Sequence, residues 1–117
     1  ATPAIDIVLR GLSRDDSFIA AVGAFTPKMA ELAPRLCRHV AEVGHIVLDT
    51  RDADYEAGDL LQAGLAMAEF QTLEDVVRQP LTGPRGPVLF KSCGWAGWDL
   101  AAARVALGAS SNQAAQR

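Results

Sequence analysis

The stretch Pro87 to Leu107 constrains this chain more than any other, because its hydrophobic period changes halfway along. Pro87-Val88-Leu89-Phe90-Lys91 is a short apolar run of strand type. Trp95 to Leu107 is rich in Ala and Leu, with bulky residues three and four apart, the helical period. Ser92-Cys93-Gly94 joins them. A strand that hands a small polar residue and a glycine to a helix start leaves backbone N–H groups unpaired there. They face the carboxyl edge of the sheet, where open α/β sheets hold ligands. Ser92 is suited either to capping the helix or to donating to a ligand amide, and Gly94 has no Cβ to keep a flat ring away.

A second strand end repeats the pattern. Phe18 to Val22 reads as a buried strand and runs into Gly23-Ala24-Phe25-Thr26-Pro27, with Thr26 as a helix cap and Pro27 at the first helical position. Lys28 to Val43 reads as helix, with Met29, Leu32, Leu36, Val40 and Val43 on one stripe; Pro34 interrupts it and predicts a restart near Ala33. Cys37 beside the stripe reads as a buried small residue, and His39 falls on the solvent side. Strands are also predicted at Ile5–Leu9 and His45–Asp49, with His45 a structural edge residue. Thr50 to Gly64 begins with cap-type residues and acids, and Ala66 to Arg78 holds a short helix capped by Thr72, with Asp75 three residues on. The Pro/Gly-rich segment from Gln79 to Gly86 reads as loop, and Gly108 to Arg117 as a frayed tail.

Strands alternating with helices imply α/β architecture: part of a Rossmann-type parallel sheet with flanking helices and a long C-terminal helix. The expected division is residues 1–94 as the later half of a dinucleotide-type domain and 95–117 as a helix packing toward a second domain. The Gly-rich phosphate fingerprint of such domains and its ribose-gripping acid are absent from the sequence. A net charge of −3 gives no bulk attraction to nucleic acid or anionic membrane, and no apolar run approaches a bilayer span. With no export pattern at the start, a cytoplasmic protein is expected. Cys37 and Cys93 show no metal-ligand spacing and read as free thiols. Asp52, Glu56 and Asp59 share one helix face without His or Cys, which reads as a solvated acidic surface and not as a metal site. Trp95 and Trp98, at i and i+3, read as filling a core or a subunit contact.

Three motifs together carry a resemblance. They are VGAFTPKMAEL from Val22 to Leu32, Asp49 with Glu56-Ala57-Gly58-Asp59-Leu60, and FKSCGWAGWDL from Phe90 to Leu100. In order and spacing they resemble the C-terminal part of the ornithine cyclodeaminase/mu-crystallin family across about Ala4 to Leu107, and their wording is most similar to its Δ1-pyrroline-2-carboxylate reductase branch. That resemblance implies an NAD(P)H-dependent reductase of small cyclic ketimines, giving L-proline or L-pipecolate, in a homodimer whose second domain binds the substrate. It implies that Val22, Gly23, Ala24 and Phe25 lie along the nicotinamide end of the cofactor, that Ser92 and Gly94 contact it, and that Cys93 faces the substrate. No residue of this chain is assigned a proton-transfer role. Cyclodeaminases of the family carry Asp at the position of Phe25 and Lys at that of Met29. Phe25 cannot move a proton, which disfavours ornithine deamination. The crystallin branch provides an alternative, a non-catalytic binding or dimerising protein.

Overall fold

Short apolar runs bounded by turn residues become parallel strands in the computed structural model, which describes residues 17–81 and 86–115. The strand expected at Ile5–Leu9 lies outside the described residues, as does the middle of the Pro/Gly loop. The four strands are β1 (Phe18–Ala21), β2 (His45–Leu48), β3 (Gln71–Thr72) and β4 (Val88–Lys91). They form one parallel sheet in the order β1-β4-β2-β3. Between them lie α1 (Pro34–Val43), α2 (Ala53–Glu56), α3 (Gly58–Gln62), a 3-10 turn (Met67–Glu69) and α4 (Leu73–Arg78); α5 (Ala96–Ala115) follows β4. The α/β reading therefore holds.

Register puts the alternate residues Ile19, Leu89 and Ile46 in one row, and Ala21, Lys91 and Leu48 in the next, all on the same face. Leu36, Cys37 and Val40 of α1 and Leu60 of α3 close over this face to form the core. Each fully buried aliphatic side chain there contributes roughly 1.5–3 kcal/mol. The opposite face is open. Phe18, Val88, Phe90 and Val47 line a wholly apolar groove of about 410 Å³ with Leu73 and Val76 of α4 and Leu81. Phe18 is 66% exposed, so β1 is half-exposed, unlike the buried strand its composition predicts. Parallel sheets are normally covered on both sides, and this one, in the described residues, is not.

Several helix boundaries differ from the sequence reading for identifiable reasons. Thr26-Pro27 opens only a turn, closed by Met29 N–H donating to Thr26 O at 3.0 Å, and the helix starts at Pro34 after Ala33. Pro34 lacks the N–H that a continuous helix needs, and at the first helical position it loses nothing. The 50–64 segment breaks at Ala57, whose ψ of 78° leaves the helical region, giving two short helices. The 66–78 segment holds a 3-10 turn, β3 and α4 in place of one helix, although its Thr72–Asp75 capping box forms with both reciprocal bonds. Residues 108–115, expected to fray, continue α5. His39 is half-buried rather than on the solvent side, while Cys37 is fully buried as expected. No helix among the described residues is long and apolar enough to cross a membrane.

Candidate functional site at the β1 and β4 tips

Because β1 and β4 are neighbours, the two glycine-containing turns emerge side by side. Ala21 pairs with Lys91, and Ser92 N–H donates to Ala21 O at 2.9 Å. Residues 22–25 and 92–94, far apart in sequence, are thus brought to one carboxyl edge. Val22 and Phe25 stand 69% and 55% exposed there, whereas Ala24 is buried. Gly94 adopts φ +90°, a conformation that favours glycine, and no atom lies within 4 Å of where a Cβ would stand. That open space is what a flat ring would need.

The backbone donors, however, are not free. Asp49, at the end of β2 and almost wholly buried, reaches across to the β4 turn: its Oδ2 accepts from Ser92 Oγ at 2.9 Å, Cys93 N–H at 3.0 Å and Gly94 N–H at 3.1 Å. Its Oδ1 accepts from Thr50 N–H at 2.8 Å. Glu31 does the same for the β1 turn, its Oε1 accepting from Gly23 N–H at 2.8 Å and Ala24 N–H at 3.4 Å. Residue types alone predict unpaired N–H groups aimed at a ligand; the structure corrects this, since the chain's own carboxylates occupy those of Gly23, Ala24, Cys93 and Gly94. The physical reason is that a carboxylate fixed beside a turn is a strong acceptor for the N–H groups the turn leaves unpaired. Ser92 is likewise committed, donating to Asp49 and accepting from Gly94 N–H at 3.3 Å.

Beneath both turns lies a charge cluster. Lys91, the last residue of β4, is fully buried, with its Nζ 3.1 Å from Glu31 Oε1 and 3.2 Å from Asp59 Oδ2. Asp59 is fully buried too, which overturns its assignment to a solvated acidic face; Asp52, by contrast, is exposed. Asp59 Oδ1 accepts from Glu31 N–H at 2.6 Å and Leu32 N–H at 2.7 Å, while Oδ2 faces the Lys91 ammonium and has no hydrogen bond of its own. A buried carboxylate survives only with such partners. Two signals in the sequence point to this pair: Asp59 sits between Ala57-Gly58 and Leu60-Leu61, and Lys91 shares the inward parity of Leu89.

The same platform docks the rest of the first turn. Gln62 Nε2 donates to Pro27 O at 3.1 Å, and Gly58 lies so close to the Thr26–Met29 carbonyls that a Cβ would stand 2.5 Å from Thr26 O. Burial raises the Glu31 pKa, but the N–H groups of Gly23 and Ala24 and the Lys91 ammonium outweigh it and hold the carboxyl below its ordinary value. Burial pushes the Cys93 thiol up to about 11, so it is a neutral group beside the turn. On the far side of β4, a cleft of about 340 Å³ opens over the ends of β2 and β3, walled by Asp49, Thr72, Trp95 and Trp98. The two Trp rings meet edge to face with centroids 5.0 Å apart, and Trp95 is 53% exposed. Among the described residues no group of three His, Cys, Asp or Glu side chains could hold a metal ion.

A parallel sheet that delivers two such turns to one carboxyl edge defines a partial Rossmann-like domain. No family model matches the chain. Over 99 residues, 85% of the chain, it is 40% identical to Δ1-pyrroline-2-carboxylate reductase 2 of Burkholderia ambifaria and 39% identical to Δ1-pyrroline-2-carboxylate reductase 1 of Burkholderia multivorans. It is also 39% identical over 99 residues to the Δ1-pyrroline-2-carboxylate/Δ1-piperideine-2-carboxylate reductase of Azospirillum brasilense. The chain spans about 30% of the length of these curated relatives. Along that matched segment the chain is similar to proteins named Δ1-pyrroline-2-carboxylate reductase.

Proposed function

We propose that this chain forms the nicotinamide-side wall of an NAD(P)H-dependent reductase of small cyclic imino acids. The observation that carries the proposal is the adjacency of the 22–25 and 92–94 turns, held by the Ser92 N–H to Ala21 O bond, in a chain whose relatives bear reductase names. When bound, the cofactor would supply a hydride to the C=N carbon of the imine in its protonated, iminium form, so that the nitrogen, already carrying its proton, ends as a secondary amine. Val22 and Phe25 offer exposed apolar contact to a flat ring, and Gly94 leaves room beside it. Cys93 presents a neutral thiol beside this wall. Phe25 likewise has no proton to give, which supports hydride transfer over cyclodeamination.

The test is made on a protein carrying this chain at its relatives' length. Loss of reduced-nicotinamide absorbance on adding Δ1-pyrroline-2-carboxylate or Δ1-piperideine-2-carboxylate is expected. Ammonia release from ornithine without that loss would overturn the proposal.

A further inference from the structure

The reductase reading names the residues that face the ring but leaves out what holds them there, and one side chain links every part. Glu31 Oε1 accepts from Gly23 N–H, from Ala24 N–H and from Lys91 Nζ at once. Its own backbone N–H, with that of Leu32, is fixed by Asp59. One carboxylate oxygen therefore ties the β1 turn to the last residue of β4, one position before Ser92. Lys91 cannot relax toward solvent, being fully buried, and Asp59 is equally enclosed, so the tie is anchored on a rigid base. Gly23 and Val22 are exposed, and among the described residues Glu31 is the side chain that holds Gly23.

We infer that Glu31 is a positioning residue, which sets the spacing between the two turns and through it the seat of the nicotinamide end of the cofactor. This rests on the reductase reading. Two roles are separable by substitution. If Glu31 mattered only as the counter-charge to Lys91, a shorter carboxylate would replace it. If it matters as the tie, reach matters more than charge: Gln keeps an acceptor oxygen at the distance of Gly23 N–H, and Asp falls one methylene short.

The experiment compares Glu31→Gln and Glu31→Asp with the unaltered protein at the relatives' length, reading NADPH and NADH dissociation constants by nucleotide fluorescence, kcat and KM for the imine, and the melting temperature. Glu31→Asp is expected to weaken cofactor binding about tenfold, in line with the loss of a charge-assisted hydrogen bond, and Glu31→Gln by less than about threefold. Cofactor binding weakened more by Gln than by Asp, or weakened by neither, overturns the inference. If Glu31→Asp loses its melting transition, Glu31→Ala takes its place: a folded Glu31→Ala protein that binds cofactor about tenfold more weakly while Glu31→Gln stays within about threefold upholds the tie, and a folded Glu31→Ala protein that binds as the unaltered protein does sinks it. Failure of the unaltered protein to bind either nucleotide strikes at the reductase reading instead, and is seen before any variant is made.

Discussion

Replacing Gly58 by Ala tests the docking of the first turn on α3. On an unobstructed helix this change stabilises by roughly 0.5–1 kcal/mol, because glycine is the more disordered residue when unfolded. Here the sign reverses. The new Cβ would stand 2.5 Å from Thr26 O and 3.0 Å from Pro27 O, and nearer still to Met29 O. All three are backbone atoms, so no rotamer change relieves them. Restoring an ordinary carbon–oxygen separation of about 3.3 Å means moving the turn or α3 by about an ångström. Moving them stretches the bonds from Glu31 and Leu32 N–H to Asp59 and from Gln62 to Pro27 O. Overpacking of this kind costs about 1–3 kcal/mol, and each charge-assisted bond lost adds about 1.5–3 kcal/mol, so the chain takes the strained route at about 3 kcal/mol. In a domain of this size that lowers the melting temperature by roughly 10–20 °C. Gly108→Ala in α5, where a Cβ meets nothing within 4 Å, is the control and should raise stability slightly. Thermal and urea melts, with amide exchange at Glu31 and Leu32, read the outcome. A Gly58→Ala protein as stable as its parent, with those amides still protected, would refute the docking argument.

Three further outcomes follow from the charges. Lys91→Met leaves Asp59 buried without its cation and should destabilise by about 3–5 kcal/mol in urea melts, with Asp59→Asn added on top restoring part of the loss; simple additivity of the two changes would contradict the pairing. Because ionised Glu31 is favoured in the fold, its pKa lying below the ordinary 4.5, its stabilisation is present above about that pH and is lost as pH falls through the lower folded value. The melting-temperature gap between the unaltered protein and Glu31→Gln should therefore shrink on acidification from neutrality, and a gap that widens would count against it. With burial raising Cys93 from 9.0 to about 11, alkylation by iodoacetamide near neutral pH should run roughly 100-fold slower than for an ordinary thiol and keep rising with pH until about 11 instead of levelling off near 9, whereas rapid alkylation at neutrality would mean that the thiol is not enclosed as described.

What was legible in the sequence was local. The switch from strand to helix around Ser92, the restart at Pro34 and the Thr72–Asp75 capping box all rest on residues within a turn of one another, and all appear. β3 was invisible because two residues, Gln71–Thr72, carry no periodicity. Asp59 was misread because three acids in a row of helical spacing normally face water, and its partners stand 27, 28 and 32 residues away in Leu32, Glu31 and Lys91. The pairing of Asp49 with the 92–94 turn spans 43 to 45 residues and follows only from β2 and β4 being neighbours. The side-by-side placing of the two turns was foreseen, while their saturation by internal carboxylates was not.

That saturation decides what kind of group can approach the edge. A helix start with open N–H groups attracts phosphate, since donors and dipole both favour an anion. At the start of α5 the anion is already built in: Asp49 takes the Cys93 and Gly94 N–H groups and the Ser92 hydroxyl, and it is too buried to swing aside. The β1 turn is closed in the same way by Glu31. A pyrophosphate arriving here would find no free donor among these and a carboxylate in its place, a like-charge encounter. An uncharged or positively charged ring meets no such penalty, and the open space at Gly94 and the exposed faces of Val22 and Phe25 suit its shape. On the reading proposed above, the two carboxylates hold the turns and would also make this edge a better seat for the uncharged end of a dinucleotide than for its phosphates.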